Sequence, residues 1–131
     1  MNTKTPLNES KEASQNSLTK LLMHHLDSFM HNDLQALMSD YTDESVFITS
    51  DATYIGLNEI KGFFTNLLIH FPKVESQFEL DKMVVRDGLG FIVWHAATPS
   101  LVVPIGTDTF IIKDDKIFQQ TFAGQLNFIS Q

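Results

Sequence analysis

Residues 74–128 read VESQFELDKMVVRDGLGFIVWHAATPSLVVPIGTDTFIIKDDKIFQQTFAGQLNF, and the spacing of apolar residues in this stretch decides the fold. They recur at every second position in runs at about 74–86, 91–97, 101–112 and 117–128. A period of two belongs to a strand with one buried face. Between the runs stand Asp87-Gly88, Thr98-Pro99-Ser100 and Asp114-Asp115, short connections made of residues that turn a chain back on itself. Connections this short join antiparallel neighbours, so the C-terminal half is expected to be a four-stranded meander.

Towards the N-terminus the period lengthens. Ile60, Phe63, Phe64, Leu67, Leu68 and Phe71 follow Gly56 at helical spacing until Pro72 stops them. Leu18, Leu21, Leu22, Leu26, Phe29 and Met30 do the same from Ser17, the expected N-cap, to about Asn32. Asp33 is placed to cap a short helix at 34–40, and Tyr41 leads into a strand at 45–49, with a brief extended piece at 53–55. Residues 1–16 are polar and read as a flexible leader, leaving 17–131 as a single domain. Helices followed by a meander predict an α+β architecture of helices laid on a sheet, not alternating βαβ units.

With 131 residues, 43% of them hydrophobic and eleven of them Phe, the chain has enough apolar area for a packed core. It contains no Cys, which excludes disulfides, thiolate metal ligands and a thiol nucleophile. The formal charge of −7, with no cluster of Lys or Arg, argues against a nucleic-acid partner. Neither a signal peptide nor a membrane-spanning run is read in the sequence, so a cytoplasmic location without membrane contact is expected.

The element order, with Asp33-Leu34 opening the second helix, Tyr41-Thr42-Asp43-Glu44-Ser45-Val46 entering the first strand, Gly56-Leu57-Asn58-Glu59-Ile60 opening the third helix and Gly106-Thr107-Asp108-Thr109-Phe110 in the meander, resembles the SnoaL-like and ketosteroid-isomerase-like proteins of the nuclear-transport-factor-2-like superfamily. The resemblance covers about residues 17–128. It implies a cone-shaped, cystatin-like α+β fold: about three N-terminal helices on a curved antiparallel sheet, enclosing a pocket, commonly in a homodimer formed through the sheet. It also implies chemistry such as isomerisation, cyclisation or dehydration, or binding alone. Matched position by position, the isomerases' general-base carboxylate falls at Thr49, with Asp51 two residues on, their oxyanion-hole tyrosine at His25, and their protonated acid at Thr109, beside Asp108. The carboxylates of the family's known reactions are thus not retained in place, and function has to be argued from this chain's own residues.

Among those residues His25 stands out, because it shares a helix face with Leu18, Leu22 and Phe29 and should point inward. A buried, satisfied histidine is the plain reading; a ligand-contacting or acid-base role is the functional one. Asp108, in a strand otherwise of Ile, Val and Phe, needs a partner or solvent and is the second candidate. Asp51 is either a pocket-rim base or a loop residue forming an Asx-turn. Trp94 and Ile92 share a strand face, as do Gln120 and Phe122; with Leu22, Phe29, Tyr41, Thr49 and Thr109 they complete the expected pocket lining. His24 and His31 lie on the polar side of the first helix with no metal-ligand spacing, and no metal or organic cofactor is called for. The expected function is a pocket for a small apolar molecule, with cofactor-independent acid-base catalysis by His25 or Asp108; a non-catalytic binding module and a dimeric scaffold are the alternatives.

Overall fold

A computed structural model describes residues 6–130. Helix α1 (Pro6–Met30) has Pro at its first position, where the missing N–H costs nothing. It therefore starts well before Ser17, and residues 6–16 of the expected leader extend the helix, while residues 1–5 lie outside the described residues. Glu, Lys, Ala and Gln in that stretch are good helix formers without an apolar stripe, so periodicity does not reveal them. Asn32 ends α1 in the left-handed region at φ 55. Its Nδ2 donates 2.8 Å bonds to the carbonyls of Leu68 and Phe71, tying the end of α1 to the end of α3 (Gly56–Leu68).

Between them α2 (Leu34–Met38) is capped by the Asp33 side chain, which accepts from Ala36 N at 3.0 Å. This helix ends before residue 40, leaving Asp40 at the joint with β1 (Tyr41–Ile48). The other strands are β2 (Thr53–Ile55), β3 (Gln77–Arg86), β4 (Leu89–Ala97), β5 (Leu101–Lys113), β6 (Lys116–Gly124) and β7 (Asn127–Phe128). They form a seven-stranded sheet in the order β2-β1-β6-β5-β4-β3, with β7 paired to β5. The β3–β6 meander is present, its Asp87-Gly88 and Asp114-Asp115 turns built from positive-φ residues as two-residue hairpins require.

The sheet is mixed rather than purely antiparallel: β1 runs parallel to β6. That direction is set by a long crossover through α3 and the meander, for which no local turn signal exists. The last expected strand, 117–128, is also broken: β6 stops at Gly124 and β7 resumes beside the start of β5. Irregularities at Leu80/Lys82, Trp94/Ala96 and Ile111/Ile112 interrupt the ladders, and the second lies opposite Pro104, which has no N–H to offer. Such bulges bend strands, and the resulting sheet is curved.

Leu18, Leu22, Leu26 and Phe29 of α1 and Ile60, Phe64 and Leu68 of α3 are buried with Ile92, Ala96, Val103 and Phe110 of the sheet. Each Leu, Ile, Val or Phe among them contributes about 1.5–3 kcal/mol by leaving water. No helix among the described residues is long and apolar enough to cross a membrane.

Candidate functional site

A cavity of about 650 Å³ lies between the helices and the inner face of the sheet. Helix α1 contributes His25, Leu26 and Phe29; α3 and the residues after it contribute Phe63, Phe64, Leu67 and Phe71. From the sheet come Phe47 and Tyr54, then Phe78, Ile92 and Trp94, then Asp108, Phe110, Gln120 and Phe122. His25, Trp94, Asp108 and Gln120 are buried, whereas Thr53, Glu59, Asn66, Leu126 and Phe128 are exposed and His70 is half-buried, so the first group marks the closed end and the second the mouth.

The closed end follows from register. Strands β4 and β5 pair Trp94 with Gly106 and Ile92 with Asp108, all four on the inner face. A Cβ at position 106 would stand 2.6 Å from the indole Cε2, so only glycine lets the Trp94 ring lie across β5. In that pose its Nε1 donates to Asp108 Oδ1 at 2.8 Å, and the ring stacks between Phe78 and Phe122, with centroids 5.0 and 5.9 Å away. From β6, Gln120 Nε2 donates to Asp108 Oδ2 at 2.9 Å.

The same amide ties Asp108 to α1. Tyr41 Oη donates to Gln120 Oε1 and lies 3.2 Å from His25 Nε2, and His25 Nδ1 is 3.2 Å from Asp40 Oδ2. Asp40 Oδ1 also accepts from His24 Nδ1 at 2.9 Å. A hydrogen-bonded chain thus runs from His24, whose side chain is 49% exposed, through Asp40, His25, Tyr41 and Gln120 to Asp108 on the cavity wall. Because the phenol hydrogen goes to Gln120, the Tyr41 oxygen is left to accept from His25 Nε2–H.

Burial pushes the Asp108 carboxyl up to about 6, against the opposing pull of the Trp94 and Gln120 hydrogen bonds and the His25 charge. Burial, followed by the Asp108 and Asp40 carboxylates, raises the Tyr41 phenol well above its ordinary value, which keeps it a neutral donor. The arrangement offers one carboxylate able to take or give a proton near neutral pH, beside an indole and an amide that fix it. Among the described residues no three His, Cys, Asp or Glu side chains come together in a way that could hold a metal ion.

Of the residues singled out in the sequence, His25, Asp108, Phe29, Ile92, Trp94, Gln120 and Phe122 line the cavity. Tyr41 does not line it; its buried hydroxyl serves the chain behind the wall. Leu22 is packed in the core, where a Cβ on Gly90 would meet it. Thr109 faces away from the cavity, its neighbour Asp108 being the inward residue, since successive residues of a strand point to opposite faces. Thr49 and Asp51 lie outside the lining, and the turn reading for Asp51 is reversed: the Thr49 hydroxyl accepts from Asp51 N and Ala52 N, each at 3.2 Å, in an ST-turn.

Sequence reasoning passed over Asp40, which the pattern assigned to the end of a helix, and Gly106, whose role depends on a ring from the neighbouring strand. It also passed over Glu59, Asn66 and His70 at the mouth. The consecutive histidines at 24 and 25 were the available signal for Asp40, since two imidazoles a helix step apart can share one carboxylate.

No protein-family model and no curated protein sequence matches this chain. Solved structures do match. An NTF2-like protein of unknown function from Burkholderia xenovorans superposes with a TM-score of 0.72 at 13% identity, over 88% of this chain and 88% of its own. A candidate ketosteroid isomerase from Kribbella flavida gives 0.71 at 8% identity, over 89% of this chain and 84% of its own. A candidate SnoaL-like polyketide cyclase from Shewanella denitrificans gives 0.66 at 18% identity, over 82% and 89%. At such identities the likeness is one of backbone alone, and it establishes that the chain has the NTF2-like α+β fold.

Proposed function

We propose that this protein binds a small, largely apolar molecule in the cavity and moves a proton on it, with Asp108 as the acid-base group and no organic cofactor. The observation that carries the reading is Asp108 itself: a carboxylate 7% exposed, on the wall of an aromatic cavity, raised to about 6 and clamped by Trp94 and Gln120. Near neutral pH such a group interconverts readily between base and acid, the requirement for isomerase, cyclase or dehydratase chemistry. His25 acts as the positioning group, orienting Gln120 through the Tyr41 hydroxyl. The test is mass spectrometry of small molecules extracted from the purified protein, followed by incubation of whatever is found with wild type and Asp108→Asn. Consumption by wild type that the variant loses supports the reading; consumption that the variant retains overturns it.

One observation favours binding without turnover. Asp51 is exposed and outside the lining, and Thr49 cannot serve as a base, so the first strand supplies no carboxylate to the cavity. A co-purifying molecule that wild type leaves intact under all conditions would favour this second reading.

We also propose self-association through the outer face of the sheet. There Val84, Leu89 and Ile111 are exposed apolar residues brought together by the β3–β4–β5 pairing. Sedimentation velocity is the measurement, and a monomer at all working concentrations would defeat the proposal.

A further inference from the structure

Resting on the pocket reading above, the geometry points to a more specific ligand: we infer that the cavity takes an organic amine, its ammonium group donating to Asp108 and its apolar body lying on the aromatic walls. Three observations lead there. First, no Lys or Arg is among the described residues that line the cavity, and its two carboxylates are Asp108 at the closed end and Glu59 at the mouth. An anionic ligand would meet both carboxylates with no Lys or Arg to offset them, in a low-dielectric site where repulsion is strong.

Second, Asp108 lacks a cation of its own. Its side-chain oxygens accept one bond from Trp94 and one from Gln120, both neutral donors, and it forms no ion pair with Lys or Arg among the described residues. The nearest positive charge is that of His25, and it is shared: its Nδ1 lies 3.2 Å from Asp40, and it reaches Asp108 only through Tyr41 and Gln120. A carboxylate has about four acceptor sites, so two are left over on a group that faces the cavity. A buried carboxylate with no cation in direct contact gains most from a ligand that brings one.

Third, the walls suit a cation's carrier. Phe78, Trp94 and Phe122 form a stack beside Asp108 that offers an apolar surface to the hydrocarbon body of an amine whose nitrogen reaches the carboxylate. The chain's net charge of −7 adds a long-range pull of the same sign.

The experiment compares three probes with one skeleton, naphthylmethylamine, naphthylmethanol and naphthoate, by isothermal titration calorimetry at about pH 7.5, where the amine is charged and Asp108 ionised. The expected order is amine, then alcohol, then naphthoate, with about a tenfold or greater gap between the first two. In Asp108→Asn the amine should lose its advantage over the alcohol, while Glu59→Gln keeps it, which separates the closed end from the mouth. Equal binding of amine and alcohol by wild type, or a preference for naphthoate, overturns the amine inference and leaves the pocket intact. The same holds if Glu59→Gln and not Asp108→Asn abolishes the preference. If no probe binds and none shifts the emission of Trp94, the chain's one tryptophan, the pocket reading itself fails and the inference with it. Should Asp108→Asn not fold, the wild-type ranking together with Glu59→Gln still decides.

Discussion

Replacing Asp108 with Asn should stabilise the protein at neutral pH, although most core substitutions destabilise. The carboxyl is raised from 3.8 to about 6, so the folded state favours its protonated form. The sign follows from proton linkage. Between pH 4 and 6 the folded protein holds a proton at Asp108 that the unfolded chain has released, and stability falls as pH rises through this window. The favourable contribution is complete below about 4 and absent above about 6; two pH units correspond to about 3 kcal/mol at most. Asn keeps an oxygen for the Trp94 indole. Its amide nitrogen meets Gln120 Oε1 once that amide turns over, which gives Gln120 Nε2 to the Tyr41 oxygen and the phenol hydrogen to His25 Nε2, the imidazole then bearing its one hydrogen on Nδ1 and donating it to Asp40. Every partner remains satisfied in that arrangement, so the burial penalty of the charge is the main term removed. Urea unfolding of both proteins at pH 4 and pH 7.5 measures it: Asp108→Asn should gain about 1–3 kcal/mol at the higher pH and nearly nothing at the lower. A variant less stable than wild type at pH 7.5, or a difference independent of pH, would refute the argument that Asp108 is a strained buried charge.

Other substitutions probe the same chain. Tyr41→Phe removes the hydroxyl between His25 Nε2 and Gln120 Oε1, leaving both buried groups unpaired, and should cost about 2–4 kcal/mol in denaturant titration. Gly106→Ala puts a Cβ into the Trp94 ring and should change the wavelength of tryptophan emission while far-UV circular dichroism is unchanged, because the indole loses its seat on β5. Asn32→Ala forfeits two bonds to the end of α3 and a residue suited to positive φ; a loss of about 2 kcal/mol is expected, read as a lowered urea midpoint.

Some of this was open to a reader of the sequence. The inward position of His25 follows from helical spacing, a local property, whereas Asp108 is marked in the sequence only as a carboxylate that needs a partner or solvent. The link between them is not legible locally: it needs Tyr41 of β1 and Gln120 of β6 side by side, and those strands meet through a parallel pairing that no turn announces. Thr109 shows the limit of matching by position, since one step along a strand exchanges cavity for outer face. Asp40 shows another, because a helix that ends two residues early converts a surface carboxylate into the partner of two histidines.

By itself the sequence determined that α1 from Ser17 onward and α3 are helices, the β3–β6 meander and its turns, and which faces of α1, α3 and β4 are apolar, because these depend on the period of side chains along a single segment. Only the tertiary structure decided that the sheet is mixed, that Gly106 seats an indole, and that one hydrogen-bonded chain joins the surface to an unbalanced carboxylate in the cavity. Those features are distances between residues far apart in the chain, set by how curved strands and helices close on one another, and no local pattern encodes them.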